Sequence, residues 1–364
     1  MNQIPEQHIH FCKTEDGVSI AYAAVGQGPT LVKAANWLSH LEYDWTSPVW
    51  RHWLEGLSRH HRFLRYDERG CGLSDWDIDD FSLDAWVQDL EAVVEASGLD
   101  RFPLLGLSQG GPIAIAYAVR HPEKVSHLIL HGTYVLGRLR RQPSEEQLRE
   151  IEVFNELISL GWGKSNPAFR QVFATMFMPE ASGEQLHWFN ELQRVSSTPE
   201  NAVKIRRTFS TIDVSDLAPK LDVPTLILHC KNDAVIPFEQ GRFLATLIPG
   251  SRFVPLESNN HILLADEPAW AQFLEEVYDF LGVAGGPAEA KRGLPDYADF
   301  TPREREVLEL LARGYRNQDI AQALVLTPKT VRNYISIIFS KLGVHSRGEA
   351  IVRAREAGFG STST

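Results

Sequence analysis

Three residues that lie far apart in the chain have the types and the order of a nucleophile, an acid and a base. Ser108 lies in the stretch GLSQGG, which has the pattern G-x-S-x-G, and Asp233 and His261 follow it in that order. A serine hydroxyl becomes a nucleophile when a histidine accepts its proton and a carboxylate orients that histidine. The sequence therefore predicts a Ser–Asp–His triad, whose chemistry is the cleavage of an ester or a related carbonyl compound.

The segments around these residues are those that such a triad requires. A buried-strand pattern, FPLLGL, precedes Ser108, and a small-residue helical pattern, QGGPIAIAYAVRH, follows it. Glycines at 106 and 110 suit a sharp strand-to-helix turn, because side chains there would collide. Asp233 follows the strand pattern PTLILHC, and His261 follows FVPLES. The order Ser, acid, His at successive strand ends is the one expected for this arrangement.

Two backbone amides are candidates for an oxyanion hole, the pair of donors that stabilises the charge developing on a carbonyl oxygen. The helix start after Ser108 aims the N–H group of Gln109 at that charge. The second donor is expected in the loop after the strand pattern LVKAAN, where Trp37 is the best candidate.

Short apolar strand patterns alternate with helical patterns through most of the chain, beginning at residues 31, 62, 102, 125, 224 and 253. This alternation predicts an α/β fold with a parallel sheet covered on both faces. Between about 135 and 219 only helical patterns occur, which indicates a helical cap over the sheet. The aromatic residues of this cap either pack it against the body or line a ligand pocket, for which we select Trp162, Phe173, Phe177 and Trp188.

Residues of about 7–283 resemble an α/β-hydrolase domain, on the strength of GLSQGG, the order of the triad and the stretch YDERGCGLSD from Tyr66. The resemblance implies an α/β-hydrolase fold with a helical cap. The sequence departs from the family in one place, since Ala35 and Asn36 stand where the family usually has His-Gly before the oxyanion residue. Asparagine tolerates the positive φ that glycine allows there.

The end of the chain has a different pattern. Thr301, Pro302 and Glu304 predict a capped helix, a second helix is expected from Asn317, and a third starts at Thr327-Pro328. In the third helix one face is apolar, formed by Val331, Ile335, Ile338 and Leu342. The opposite face carries Lys329, Arg332, Asn333 and Ser336. Such side chains bind phosphates and base edges, although periodicity alone equally suits a helical bundle with a solvated polar face.

This tail, residues 299–360, resembles the LuxR-type helix-turn-helix domain of bacterial transcription regulators, through TPREREVLELLARG, DIAQAL and TPKTVRNYISIIFSKLGV. The resemblance implies binding of double-stranded DNA by Lys329, Thr330, Arg332 and Asn333. It also implies a homodimer formed through the last helix, SRGEAIVRAREAG, whose apolar stripe is Ala350, Ile351 and Ala354. Arg316 and Tyr334 depart from the family, which often has serine and histidine there.

The charge of the chain is unevenly distributed. Of the net charge of −11, residues 1–290 contribute −15 and the residues from Lys291 contribute +4, so the tail differs electrostatically from the body. The stretch 284–298 is predicted to be a linker between a first domain, 1–283, and the tail.

The three cysteines, Cys12, Cys71 and Cys230, have no metal-ligand spacing, and we expect no disulfide, metal or cofactor. The absence of a signal-peptide or membrane-span pattern predicts a cytoplasmic protein with no membrane partner.

These patterns favour a DNA-binding transcription regulator whose α/β-hydrolase-like domain senses a small, largely apolar carbonyl, ester or lactone compound. The alternative is a serine esterase or related hydrolase with an accessory DNA-binding tail. A third interpretation combines the two, with the domain cleaving its own inducer. Fold alone does not decide among them.

Overall fold

The computed structural model describes residues 7–283, 300–342, 347–357 and 359–360. The chain divides into two compact units, Met1–Leu281 and Gly282–Thr364. The predicted linker, 284–298, lies outside the described residues, as do Ser346 and Gly358, the predicted cap and stop of the last helix.

The first unit contains, within residues 7–283, a sheet of eight strands in the order β1-β2-β4-β3-β5-β6-β7-β8. The strands are β1 His8–Lys13, β2 Ser19–Val25, β3 Thr30–Lys33, β4 Arg62–Tyr66, β5 Phe102–Leu107, β6 Val125–His131, β7 Thr225–Cys230 and β8 Arg252–Leu256. The helices are α1 Leu41–Trp45, α2 Arg51–Ser58, α3 Leu83–Ala96, α4 Gly110–Arg120, α5 Glu145–Gly161, α6 Ala168–Phe177, α7 Gly183–Ser196, α8 Pro199–Thr211, α9 Phe238–Leu247 and α10 Pro268–Phe280.

Strands β3 to β8 form the parallel part of the sheet, and all six follow the apolar patterns from which they were predicted. Strand β7 is buried along its whole length because helices cover both faces of the sheet there. Strands β1 and β2 pair antiparallel at one edge, and neither was predicted from the sequence. Strand β1 alternates little and is mostly exposed, so it lacks the continuous apolar run that marks the others.

The segment between β6 and β7, residues 132–224, contains α5 to α8, and we call it the β6–β7 insertion. Three of its helices begin at side-chain caps, provided by Ser144, Ser182 and Thr198. The insertion is joined to the loop after β4, where the Ser197 hydroxyl donates to the carbonyl of Gly70 at 2.7 Å. Helices therefore occupy the stretch in which the sequence predicted a cap.

The second unit has, in its described part, the helices α11 Pro302–Ala312, α12 Asn317–Leu324, α13 Pro328–Leu342 and α14 Arg347–Glu356. Thr301 and Glu304 form the predicted capping box of α11, and Gly314 follows that helix with a φ of +87°. The core of the unit includes Val331, Ile335, Ile338 and Leu342 from α13, as predicted from their spacing.

The last helix, α14, also contributes to that core. Ala350 and Ala354 are completely buried within the unit itself. The small apolar stripe expected at a dimer interface is therefore mostly used inside the domain, and Ile351 is only partly buried against the same core. In the part of the chain that the structure describes, no helix is both long and apolar enough to cross a membrane.

Candidate active site and DNA-binding helix

Ser108 occupies the turn between β5 and α4, with a φ of +50° that serine seldom adopts. The backbones of the strand and the helix approach closely here, since a Cβ added at Gly106 would lie 2.8 Å from the Cα of Gly111. A Cβ added at Gly111 would lie 1.9 Å from the hydroxyl oxygen of Thr133. That hydroxyl donates to the Ser108 carbonyl at 2.6 Å. The turn is thus fixed by glycines on both sides and by a neighbouring strand end.

Asp233 and His261 meet beside this turn. The Nδ1 atom of His261 lies 2.6 Å from the Oδ2 atom of Asp233, and both side chains are buried. The other carboxylate oxygen accepts the amide hydrogens of Val235 and Ile236 at 2.8 and 2.9 Å. Burial raises the pKa of the Asp233 carboxyl, but the His261 ring and the Ile236 amide outweigh it and hold that pKa below its usual value. The ionised carboxylate therefore orients Nδ1–H and leaves Nε2 as the acceptor.

Ser108 and His261 line the same cavity. The Nε2 atom of His261 is buried and has no hydrogen-bond partner, so it forms no hydrogen bond with the Ser108 hydroxyl. Such bonds commonly tighten only when a substrate is bound. The three residues selected from the sequence are thus brought together, with the base free to accept a proton.

Phe177 links this base to the β6–β7 insertion. Its carbonyl, at the end of α6, accepts the amide hydrogens of His261 at 2.8 Å and of Ile262 at 3.3 Å. Its ring also packs edge-on against the His261 ring, with centroids 5.2 Å apart. The loop that carries His261 is consequently held by the insertion as well as by the sheet.

Trp37, one of the two expected oxyanion donors, has its amide hydrogen engaged by a side chain. The Trp37 N–H group donates to the side-chain Oε1 atom of Gln109 at 2.8 Å. The Nε2 atom of the same Gln109 donates to Glu68 at 2.9 Å. The Gln109 side chain, which was not predicted to take part, thus accepts the Trp37 amide hydrogen that an oxyanion would need. The only sequence signal for this contact is the glutamine directly after Ser108, whose long polar side chain can fold back over its own turn.

Asn36 stands at the family's glycine position, where asparagine would tolerate a positive φ, but it does not adopt one. The left-handed residue of this loop is Leu38, with a φ of +67°. Asn36 instead uses its side chain: its Oδ1 atom accepts from the Lys33 ammonium, and its Nδ2 atom donates to the Trp37 carbonyl at 3.1 Å. The loop keeps its place through these polar contacts.

Glu68 comes from the stretch YDERGCGLSD, whose turn is held by ion pairs of the buried Arg69. Arg69 pairs with Asp89 at 2.8 Å and with Asp16 at 2.7 Å. Burial raises the pKa of the Glu68 carboxyl to about 8, against the hydrogen bond from Gln109, and the nearby Asp89 adds to the increase. Glu68 is therefore mainly protonated at neutral pH, and it holds the Gln109 side chain without adding a full negative charge beside the site.

The cavity above Ser108 contains about 850 Å³ of atom-free space, part of it open to solvent. Of the four aromatic residues selected from the sequence, Phe173 and Phe177 line this cavity, whereas Trp162 and Trp188 do not. Trp162 stacks on Trp37 with centroids 5.4 Å apart, and Trp188 stacks on Tyr43 at 4.8 Å. Other lining residues are Trp50, Phe154, Met176, Phe189, Phe209, Val235, Ile236 and Ile262, together with Tyr134, Arg138, Arg141 and Arg206.

The positions of these additional residues could not be predicted from helical periodicity. Periodicity shows that the insertion is helical, but it does not show how each helix is rotated over the sheet. The arginines in particular look like ordinary surface charges in the sequence.

The candidate DNA-binding helix is α13. Its first turn is capped by Thr327, whose hydroxyl accepts the Thr330 amide hydrogen at 3.1 Å and lies 2.8 Å from the Thr330 hydroxyl. Lys329, Arg332, Asn333 and Ser336 lie on this helix, but their side chains are outside the described part of the structure. Their position on the face opposite Val331 stays a prediction from their spacing.

Arg316, the first departure from the LuxR-type pattern, precedes α12. A guanidinium cannot accept a hydrogen bond, so it cannot replace a capping serine. Instead Asp319 accepts the Arg316 amide hydrogen at 3.1 Å. Tyr334, the second departure, packs partly buried against the core of the domain.

Comparisons with known proteins match two families in the chain. Residues 40–268 match the family described as alpha/beta hydrolase fold, and residues 298–354 match the family described as bacterial regulatory proteins, luxR family. An AB hydrolase superfamily protein of Bacillus subtilis, YisY, is 27% identical over 257 residues, which cover 69% of this chain and 92% of that protein.

Two further proteins are similar to most of this chain. The 2-hydroxy-6-oxo-2,4-heptadienoate hydrolase of Pseudomonas putida is 27% identical over 279 residues, 70% of this chain and 86% of that protein. The structure of an esterase from Exiguobacterium antarcticum superposes with a TM-score of 0.63 at 27% identity, covering 75% of this chain and 98% of that one.

The raised pKa of Glu68 predicts a pH-dependent stability. The folded carboxyl keeps its proton up to a pKa of about 8, whereas the unfolded one loses it near 4.5. Wild-type stability should therefore fall as pH rises through this window, and Glu68→Gln should remove that loss. We expect the variant to match the wild type at pH 5 and to exceed it by about 1 to 4 kcal/mol at pH 8.5.

The measurement is urea unfolding followed by tryptophan fluorescence, which reports the first unit because all 9 tryptophans precede residue 281. Glu95→Gln, at an exposed position, is the charge-matched control. Parallel pH curves for Glu68→Gln and the wild type would contradict the assignment.

The contact between Gln109 and Trp37 predicts that turnover is restrained. Gln109→Leu keeps the volume but releases the Trp37 amide hydrogen, which can then bind an oxyanion. Because one such donor is worth about 10² to 10³ in kcat, we expect kcat for 4-nitrophenyl butyrate to rise by about tenfold or more. Steady-state kinetics would show this, with the Ser108→Ala, Gln109→Leu double variant as the inactive control. A fall in kcat in a folded variant would mean that the glutamine supports the oxyanion hole.

Proposed function

This chain belongs to the α/β-hydrolase fold family and ends in a LuxR-family domain, and we propose that the two together form a ligand-responsive transcription regulator. The presence of both families in one chain carries this proposal. A LuxR-family domain supports DNA binding, whereas α/β-hydrolase folds serve both catalysis and binding.

The ligand is a small carbonyl compound, an ester or a lactone, held in the cavity above Ser108. Aromatic side chains from the β6–β7 insertion cover a floor that carries the serine and histidine. Such a mainly apolar cavity with a few converging polar groups is typical of small-molecule sites. The named activities of the P. putida hydrolase and of the E. antarcticum esterase, both on carbonyl substrates, support this choice for the present chain.

The engaged Trp37 amide favours holding a ligand over cleaving it. For turnover, the Gln109 side chain must release that hydrogen, at a cost of about 1 kcal/mol for the hydrogen bond. The release competes with transition-state stabilisation and leaves ground-state binding almost unchanged.

The second candidate function is a serine hydrolase with an accessory DNA-binding tail. The 2.6 Å contact between His261 and Asp233 favours it, because a receptor has no need for an oriented general base. Ser108, Asp233 and His261 are the catalytic residues in that case. Cleavage of the inducer would join the two functions in one cycle.

On DNA, the proposal assigns Lys329, Thr330, Arg332, Asn333 and Ser336 to the interface and requires a homodimer. Since Ala350 and Ala354 are already used in the domain core, the dimer contact must involve other residues of α14. Ligand binding would then change the fraction of the protein in the DNA-binding arrangement.

The DNA-binding part is tested with duplexes selected from a random library by the full-length protein. Arg332→Ala should weaken binding to the selected duplex by about 1 to 3 kcal/mol and relax specificity at one position, as a base-reading arginine would. Fluorescence anisotropy at several salt concentrations measures this. Arg149→Ala, an exposed arginine on α5, is the charge-matched control. The absence of any salt-dependent DNA binding would end the regulator proposal.

Ser108→Ala separates sensing from cleavage. If the domain is a receptor, the variant should lose ester turnover and still change its DNA affinity when ligand is added. The readouts are release of 4-nitrophenol and the anisotropy titration repeated with ligand. Loss of the DNA response together with turnover would place a covalent or hydrolytic step in the signal.

A further inference from the structure

Three arginines line the cavity that contains Ser108 and His261. Arg138 lies in a short helical turn, Arg138–Arg140, Arg141 directly follows it, and Arg206 comes from α8. Among the described residues that line the cavity, none is acidic. The cavity is therefore apolar over most of its wall and positively charged in one part.

Arg206 is buried, whereas Arg138 and Arg141 are half-buried. Within the described residues, none of the three forms an ion pair with a carboxylate, and the Nε atom of Arg206 is buried without a hydrogen-bond partner. Arg206 is only 6% exposed, and its guanidinium lies 5.4 Å from the centroid of the Phe154 ring. Arg141 donates to the Leu136 carbonyl at 2.6 Å and lies over the Tyr134 ring.

Burial lowers the pKa of Arg206 and of Arg141 to about 10, and repulsion from Arg138 adds to the decrease in both. Glu150 and Glu152 on α5 act in the opposite direction on Arg206, but both are exposed and outside the cavity. The three groups remain protonated at neutral pH. Arg206 is an unpaired buried cation, which is costly, so an anion in the cavity would stabilise the protein.

We propose that the ligand of this cavity carries a carboxylate, which Arg206 and Arg138 bind, and an apolar body that the aromatic residues enclose. This inference rests on the proposed function and narrows its ligand class. The guanidinium group matches a carboxylate with two parallel hydrogen bonds, and such charge-assisted bonds are the stronger kind.

The ligand is thus an amphiphilic acid, in place of the largely apolar compound expected from the sequence. Its ester or lactone carbonyl is bound beside Ser108 and its carboxylate beside the arginines, so the cavity fixes its orientation at two points. A neutral ester of the same size satisfies only one of them.

The test compares octanoate with octanamide, which have the same body and differ in charge. Full-length Ser108→Ala protein is used at pH 7.5, so that nothing is cleaved, and binding is measured by isothermal titration calorimetry. Octanoate should bind about tenfold tighter or more than octanamide. Arg206→Gln and Arg138→Gln should each remove about tenfold in octanoate affinity and leave octanamide binding unchanged.

Two further variants make the result specific. Arg140→Gln, at an exposed neighbouring position outside the cavity lining, should change neither affinity. Arg206→Lys keeps the charge and should retain part of the preference for octanoate.

Any of three results would overturn the inference. The first is equal affinity for octanoate and octanamide, and the second is an equal loss of affinity for both compounds in Arg206→Gln. The third is that no carboxylate from butanoate to decanoate binds. Tighter binding of octyl phosphate than of octanoate would overturn the choice of carboxylate. The assay contains no DNA, so it fails independently of the regulator proposal. If octanoate is clearly preferred in this assay but does not change DNA affinity in the anisotropy titration, only the regulator mechanism is overturned.

Discussion

The site depends on how closely the backbones of β5 and α4 approach each other at Ser108. A β-carbon at Gly106 or at Gly111 would overlap its neighbours, and Thr133 at the end of β6 fills the remaining space. This closeness forces Ser108 to a φ of +50° and directs its side chain to the cavity. The strain is tolerated because strand, helix and neighbouring strand all constrain the same few atoms.

Several features of the fold and site could be predicted from the sequence because they depend on short-range patterns. Continuous apolar runs marked β3 to β8, and the glycines around Ser108 marked the turn. Asp233 and His261 could be selected because parallel strands end at one edge of the sheet, so residues distant in sequence become neighbours. The core face of α13 followed from helical periodicity, and the LuxR-family match agrees with it.

What escaped prediction depends on contacts between elements that are distant in sequence. The rotation of α5 to α8 over the sheet decides that Phe173 faces the cavity whereas Trp162 stacks on Trp37. Likewise, Arg206 reaches the cavity only because α8 presents that face. The Gln109 side chain folds over its own turn and is held there by the buried Glu68. No local sequence pattern predicts such a pair. Side-chain hydrogen bonds of this kind are set by packing.

The carbonyl of Phe177 couples the position of α6 to that of His261. Because it accepts the amides of both His261 and Ile262, the end of α6 cannot lift away from the sheet without breaking those bonds or carrying the histidine with it. Movement of α6 therefore either costs these two hydrogen bonds or displaces the base. A ligand that keeps α6 down also keeps His261 in register for as long as it stays. In the proposed regulator, the residence time of the ligand would therefore set both how long the signal lasts and how long a bound ester is exposed to Ser108.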